Sequence, residues 1–582
     1  MVNDYINYLN SMNNANSSNE NALAEAQITN PYYEKIRVER NLGKYLAQKI
    51  KNKPTSIILT GHAGDGKTSL IYQILRQFDL LEANKNLKVA DELYSERMGK
   101  SIFYVKDMSE LSEVEQEKLL LKCLNAKKEG NSSILVSNTG PLLNTFKRVN
   151  DSPEIEMKLL ELMDENEGIE SNVAGHEILL INMARIDNVV LAPKLLKKLL
   201  SEELWNPCNQ CEKNSMCPIY NNYQTINNNI ENVNNVLSAF YRWLFENDRR
   251  LTVRQILSHL SYSITGNLGC SDVAENQSEF QNVVHKFNYH SSNLFFGYIG
   301  IENDDESNQI QAIREIQHLK LDSKELHKDY SLFVKQDFSY LSREVQSIAE
   351  QIWAKYHREY THNSLNLLKD EKPYKLRKAI RRMQIMFGMH DIDSLNTLYS
   401  SLFSPVFAKF LLIRNEEIGT RENRELRNKI TKALYFIFVG SLNGYENSDE
   451  IYLPLIRYGS GLQNVQLLQG KIEKREIKLV QIYRESIFDE DESHYILNLK
   501  FAKVTKSFPV SLMLFDYLDK TSKGAVSTRI NPSLSHGIDT MKAKLYEKYK
   551  FKDNHTTEVL VHTNNGAKVV RLEVDSYEVF VD

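Results

Sequence analysis

The stretch Thr60-Gly61-His62-Ala63-Gly64-Asp65-Gly66-Lys67-Thr68-Ser69 sets glycines, a lysine and hydroxyl residues at the spacing G-x-x-x-x-G-K-[ST], the pattern of a loop that encloses phosphate. Gly61, Gly64 and Gly66 let the backbone bend tightly enough for successive N–H groups, that of Asp65 among them, to face phosphate oxygens. Lys67 supplies a point charge for the β- and γ-phosphates, the Thr68 hydroxyl is the expected Mg²⁺ ligand, and Ser69 helps to open a helix. The expected cofactor is therefore ATP with Mg²⁺. A chance glycine-rich turn is the alternative, and the flanks argue against it. Ile57-Ile58-Leu59, after Pro54, reads as a buried parallel strand, while Leu70, Ile71, Ile74, Leu75 and Phe78 recur at helical spacing. The loop thus feeds a helix N-terminus, whose dipole also favours an anion.

Two further polar positions follow β-prone runs. Ile102-Phe103-Tyr104-Val105-Lys106 ends at Asp107, which is expected to hold Mg²⁺ through water unless it is an ordinary loop acid. The capping box Ser112-Glu113-Val114-Glu115 then starts a helix, so Asp107 belongs to a strand-to-helix loop. Ile134-Leu135-Val136 runs into Ser137-Asn138-Thr139-Gly140, and an amide at such a strand end suits a γ-phosphate sensor; equally, Asn138 could only shape the turn. A further run, Ile178-Leu179-Leu180-Ile181, ends at Asn182 and is followed by Arg185. Short apolar strands separated by helical segments predict an α/β parallel sheet. Arg249-Arg250-Leu251-Thr252-Val253-Arg254 opens an amphipathic helix through Ile256, Leu257 and Leu260, whose basic residues read first as a solvated face; Arg254 or Arg250 would touch the γ-phosphate only if this helix resembles the lid of ring-type ATPases, which carries such an arginine.

A different chemistry is concentrated in Cys208-Asn209-Gln210-Cys211 and Cys217-Pro218. Thiolates this close read as Zn²⁺ ligands, and structural zinc takes four. Cys270, in the turn Gly266-Asn267-Leu268-Gly269-Cys270, is the expected fourth. Cys208, Cys211, Cys217 and Cys270 would form a closed, structural site; free thiols or a redox pair are the alternative.

The elements that must position these residues are bounded by length and composition. A chain of 582 residues implies about three or four domains, since one core serves roughly 100 to 200 residues. The reading divides it into a mobile Asn/Ser-rich tail with room for one short helix (1–30), a phosphate-loop core (31–200), a helical lid with the cysteine site (201–330), a helical domain (331–449) and a β-rich C-terminal domain (450–582). In the last of these, Val559-Leu560-Val561 and Val569 to Val574 around Asn564-Asn565-Gly566 read as a hairpin, and His536, His555 and His562 lack metal-like spacing. Asp489-Glu490-Asp491-Glu492 reads as a solvated loop. Net charge is only −4, from 72 basic and 76 acidic residues, so any contact with double-stranded DNA must be local. The helix from Lys372-Pro373, with Lys375, Lys378 and Arg382 on one face and Arg377 and Arg381 on another, is the candidate for phosphate-backbone contacts, and a solvated face is its alternative. No run of about 18 apolar residues and no signal-peptide order is present, so no membrane and a cytoplasmic location are expected.

The loop GHAGDGKTSL, the strand FYVKDMSEL with its following helix, the strand ILVSNTG and the cluster CNQCEKNSMCP together resemble the large P-loop ATPases of prokaryotic anti-phage restriction, most of all the ATPase subunit of phosphorothioation-dependent DNA restriction, over roughly residues 55 to 275. The resemblance implies a P-loop NTPase sheet with a zinc-bearing helical lid, and an AAA+-like motor or switch that acts in an oligomer with partner proteins of a defence complex on foreign DNA. In active ATPases of this kind a Glu follows the Mg²⁺-binding Asp and orients the attacking water. Met108 stands there in this chain, and Glu110 is the nearest substitute. Two functions are expected from this: an ATP-hydrolysing enzyme, or a scaffold that senses bound ATP without steady turnover.

Overall fold

Alternation along four apolar strands divides their side chains between two separate cores, and this is what puts a sheet in the middle of the N-terminal part of the chain. The computed structural model describes residues 2–13, 30–81, 86–165, 168–361, 371–455, 465–485, 493–527, 529–551, 556–563, 566–574 and 579–581. Six strands, β1 (Ser56–Thr60), β2 (Ala90–Ser95), β3 (Lys100–Val105), β4 (Ser132–Val136), β5 (Ser171–Val173) and β6 (His176–Asn182), form a sheet of order β2-β3-β4-β1-β6-β5. The four central strands are parallel, with Ile57 beside both Ile134 and Leu179, and the edge strands β2 and β5 are antiparallel to their neighbours. Ile57, Leu59, Ile102, Tyr104, Ile134, Leu179 and Ile181 join Leu46, Leu70 and Ile74 from helices Asn41–Asn52 and Lys67–Gln77 in one core. Ile58, Phe103, Val105, Leu135, Ile178 and Leu180 join Leu120, Leu124, Phe146 and Leu159, from helices Glu113–Ala126, Thr139–Asn150 and Pro153–Glu165, in the other. A sheet covered on both faces explains why these strands read as continuous apolar runs. The C-terminal ends of β1, β3, β4 and β6 share one edge, and the crevice outside β1, where successive connections leave in opposite directions, is the place where such a sheet binds ligands.

The chain divides into two compact units, Met1–Leu402 and Phe403–Glu485 with Ser493–Asp582. In the first, helices Leu191–Leu199, Glu202–Asn209, Pro218–Asn228, Ile230–Glu246 and Val253–Thr265 follow the sheet. The one short helix allowed for within the Asn/Ser-rich tail is Asp4–Asn13. Tyr5, Ile6, Tyr8, Leu9 and Met12 recur at helical spacing and are buried, the Tyr5 hydroxyl donates to Leu199 O at 3.0 Å, and the Asn13 amide donates to Asn267 Oδ1 at 3.0 Å. Helices Pro405–Asn415 and Thr420–Val439, read as part of a helical domain, supply Ile413, Leu426, Ile430 and Phe438 to the core of the second unit. That unit thus begins near residue 403 rather than 450. It contains a five-stranded antiparallel sheet, including the hairpin Thr556–Thr563 with Gly566–Val574, and a three-stranded sheet. The acidic run 489–492, His555 and Asn564-Asn565 lie outside the described residues. Among the described residues no helix is long and apolar enough to cross a membrane.

The helix Lys372–Phe387 corrects another expectation, because its basic residues face the protein. Arg382 is fully buried and donates to Asp322 at 2.8 Å, Arg381 pairs with Asp329 at 2.6 Å, Lys378 lies 3.6 Å from Asp322 and Lys375 lies 2.6 Å from Glu302. Like charges at i and i+4 repel, and here acids from neighbouring segments relieve them. Only Arg377 of the proposed phosphate-contacting residues on this helix is exposed, which leaves no continuous surface for a DNA backbone.

Candidate functional site

β1 ends in a loop that only glycine can build at two points. Gly61 has φ +142° and Gly64 φ +87°; a Cβ at Gly61 would lie 2.9 Å from Met183 Cβ, and one at Gly64 would lie 3.0 Å from Thr252 Oγ1. The loop is therefore pressed between the end of β6 and the start of helix Val253–Thr265. Lys67, on the first turn of the loop helix, donates from Nζ to Gly61 O and His62 O at 2.8 Å and to Asn138 Oδ1 at 3.2 Å. Burial pushes its pKa below the ordinary lysine value, Asp65 and Asp107 pull it back up, and Arg254 pushes it down again. Lys67, Asp107, Asn138 and Arg254, expected from sequence to work together, are thus brought into one neighbourhood. Thr68 is half-buried beside Lys67 on the same turn.

Asn138 follows β4, the strand between β1 and β3, and it connects their ends. Its Oδ1 accepts from Lys67, and its Nδ2 donates to Ser109 Oγ at 3.1 Å. The Ser109 N–H donates in turn to Asp107 Oδ1 at 2.8 Å. Ser109 was not anticipated, since nothing in its spacing distinguishes it from other loop serines. Met108 is fully buried in the core with Val105, Leu120 and Leu142. The residue after Asp107 therefore points away from the site, and a carboxylate placed there would not reach it. Glu110, half-exposed on the same turn, sits 3.7 Å from Lys106.

The Asp65 carboxylate is fully buried and does not face the loop's mouth: Oδ2 accepts from the His62 N–H at 3.0 Å and Oδ1 from Arg250 at 2.8 Å. It braces the loop, and the Asp65 backbone N–H is itself turned to His62 O at 3.4 Å. The Ser69 hydroxyl accepts from Tyr33 Oη at 3.1 Å. Arg250, one of the two candidate γ-phosphate arginines, is fully engaged, donating also to Ile186 O at 3.1 Å and Met183 O at 2.8 Å. Arg254 is different. Its backbone N–H donates to Gly64 O at 3.3 Å, while its half-buried guanidinium has no hydrogen bond or ion pair among the described residues. Burial alone pushes its pKa down. The helix that carries it starts at Val253, later than the arginine run suggested, because Thr252 and Gln255 form a capping box. Arg40, also missed, donates from Nη1 to Asp65 O at 2.9 Å.

An apolar pocket opens beside the loop. Gly64, Gly66, Ser69 and Arg254 form its phosphate-loop end, and Ile36, Val38, Leu191, Leu195, Leu257 and Tyr8 form much of the rest.

The four cysteines are near enough to act on one another. Burial pushes the Cys217 thiol up to about 11, with smaller contributions from Cys208 and Cys270. Burial also raises Cys208, an Asn3 hydrogen bond lowers it, and Cys270 and Cys211 raise it further. Asn3 Nδ2 donates to Cys208 Sγ at 3.2 Å. Yet among the described residues no group of three or more His, Cys, Asp or Glu is arranged to hold a metal ion, so the donors are of the right chemistry but do not close into the expected Cys₄ site. Cys123 is buried in helix Glu113–Ala126 and takes no part.

No protein-family model, curated protein or solved structure matches the chain.

Proposed function

We propose that the chain is an AAA+-like subunit that binds ATP·Mg²⁺ at residues 61–68 and hydrolyses it slowly, within a prokaryotic DNA restriction or anti-phage defence complex. The observation that carries the reading is the hydrogen-bonded series Lys67–Asn138–Ser109–Asp107 across three strand ends, with the half-buried Arg254 guanidinium beside it. Lys67 and the loop N–H groups would bind phosphate, Arg254 would meet the terminal phosphate, and Thr68 and Asp107 would hold Mg²⁺. Bound Mg²⁺ would neutralise charge that develops on the phosphate oxygens. The defence role, with its protein partners, oligomer and double-stranded DNA, is what the resemblance implies; the helix Lys372–Phe387 takes no part in it.

Slow turnover follows from the carboxylates. Glu110 is the half-exposed acid on the turn after Asp107, and its neighbour Lys106 competes for it. Glu110→Gln is expected to leave ATP affinity unchanged and to lower phosphate release by about 10²-fold, the usual contribution of a positioned base. Phosphate release at the wild-type rate would remove Glu110 from that role. A second reading, a nucleotide-sensing switch without steady hydrolysis, is favoured by the burial of Met108 away from the site and predicts no release from the wild type.

The chemistry and mutual proximity of the cysteines support a structural zinc proposal with Cys208, Cys211, Cys217 and Cys270 as ligands, which requires the four thiols to draw together from the arrangement described above. Elemental analysis of purified protein is expected to find one zinc per chain, lost on replacing Cys217 and Cys270 with serine but retained in Cys123→Ser. Metal-free, folded protein would refute it.

A further inference from the structure

A second cleft in the first unit is lined by groups that the phosphate loop does not explain. Its volume is about 400 Å³, and it lies between the hairpin Tyr298–Ile299 with Glu302–Asn303, the end of helix Gln311–Leu319 and the start of helix Lys372–Phe387. A space of this order takes a small molecule rather than a lone ion. The Lys378 ammonium, which lines it, lies 5.6 Å from the centre of the Tyr374 ring, 5.9 Å from that of Tyr298 and 3.6 Å from Asp322 Oδ1. That last distance is too long for a good hydrogen bond. Among the described residues nothing accepts a hydrogen bond from Lys378, although its side chain is only 19 % exposed. A largely buried ammonium with three unmet donors is under-satisfied.

The charges around it do not balance. Asp322 supplies the one carboxylate among the described residues lining the cleft, and it is already held by the fully buried Arg382 at 2.8 Å, so a single acid answers two cations. Lys320, exposed at the rim and without a partner among the described residues, adds a third. It ends its helix at φ +47°, a left-handed position where glycine is the usual residue. The neutral groups point the same way. Among the described residues the Tyr298 and Tyr374 hydroxyls and the Asn303 amide make no hydrogen bond. Burial pushes the Tyr298 phenol pKa up, Asp322 raises it further, Arg382 lowers it and Tyr374 raises it again, so the phenol stays protonated within reach of these groups. Ammonium and phenol donors together suit a phosphate. Phenols and amides both donate and accept, as sugar hydroxyls do, whereas an apolar carrier would leave them unpaired.

We infer that this cleft binds a small sugar phosphate, with the phosphate on Lys378 and Lys320 and the sugar hydroxyls on Tyr298, Tyr374 and Asn303. The site is separate from the phosphate loop and stands without it. A free sugar phosphate and the ribose phosphate of a mononucleotide share this chemistry, and the experiment separates them.

Calorimetric titration of full-length wild type, Lys378→Gln, Lys320→Gly and Lys67→Ala with ribose 5-phosphate tests it, with ribose and inorganic phosphate as controls. Wild type should bind ribose 5-phosphate saturably and about tenfold or more tighter than either control. Lys378→Gln should weaken that binding by about tenfold or more, as expected for one lost charge-assisted hydrogen bond. Lys320→Gly should weaken it about threefold, the size of an exposed charge contact, yet melt no lower than wild type because glycine suits that φ. Lys67→Ala should bind it as wild type does. AMP titrated into Lys67→Ala identifies the source: binding tighter than that of ribose 5-phosphate supports the inference with a mononucleotide as ligand, and weaker binding supports it with a free sugar phosphate. No saturable binding of ribose 5-phosphate to wild type, equal binding of either control, unchanged affinity in either cleft variant, or loss of binding in Lys67→Ala would each overturn the inference.

Discussion

Replacing Asp322 with alanine is expected to cost the first unit about 3–5 kcal/mol, because it leaves the fully buried Arg382 without its countercharge. Arg382 uses every direction of its guanidinium: Nη1 to Asp322 at 2.8 Å, Nε and Nη2 to Asn293 Oδ1 at 3.1 and 3.0 Å, and Nη2 to Gly300 O at 2.7 Å. The Tyr298 ring lies 3.9 Å from its Cζ, so water has little access to the vacated position. Burial pushes the Arg382 pKa down and Asp322 pulls it up, so loss of Asp322 removes the larger of its charge partners. Urea unfolding followed by tryptophan fluorescence measures the cost cleanly, since Trp205, Trp243 and Trp353 all belong to this unit. The double replacement Asp322→Leu with Arg382→Met should recover most of the loss, as hydrophobic substitution of a whole buried pair often does. A single variant within about 1 kcal/mol of wild type would contradict the account of this helix as an internal clamp.

The parallel centre of the sheet was legible because β1, β3, β4 and β6 are covered on both faces and so carry uninterrupted apolar runs. β2 and β5 were not, since an edge strand such as Ala90–Ser95 is half-exposed and holds Asp91 and Glu92. The segment 60–69 was legible as a turn between an apolar strand and a helix, and its flanks take those forms. The inward turn of the Asp65 carboxylate was not legible, because it depends on Arg250, which is distant in sequence. The same long-range contact engages Arg250, whereas the Arg254 guanidinium has no hydrogen bond or ion pair among the described residues. Helix Asp4–Asn13 carried its signal in Tyr5, Tyr8, Leu9 and Met12, enough to allow one short helix in the Asn-rich tail but not to place its bounds. The basic helix from Lys372 misled for a related reason. Charge pattern along one helix says nothing of acids such as Asp322 and Asp329 that approach from elsewhere.

Lys67→Ala is expected to lower ATP affinity by at least about 100-fold. The ammonium would face two phosphate groups, and charge-assisted hydrogen bonds of this kind contribute about 1.5–3 kcal/mol each; a loss of about 3 kcal/mol is already more than a hundredfold in Kd. Folding should be nearly unaffected. The present acceptors of Lys67 are the carbonyls of Gly61 and His62 and the amide oxygen of Asn138, at the edge of the sheet beside the exposed His62. Water can replace the ammonium on carbonyls at such an edge, which confines the cost to the packing of the buried Lys67 stem. The most direct test of the central claim is calorimetric titration of Mg·ATP into wild type and Lys67→Ala, with melting temperatures recorded for both. Saturable one-to-one binding to the wild type, absent from a variant that melts within a few degrees of it, is the predicted result. Equal ATP affinity in the two proteins, or no binding to folded wild type, would contradict it.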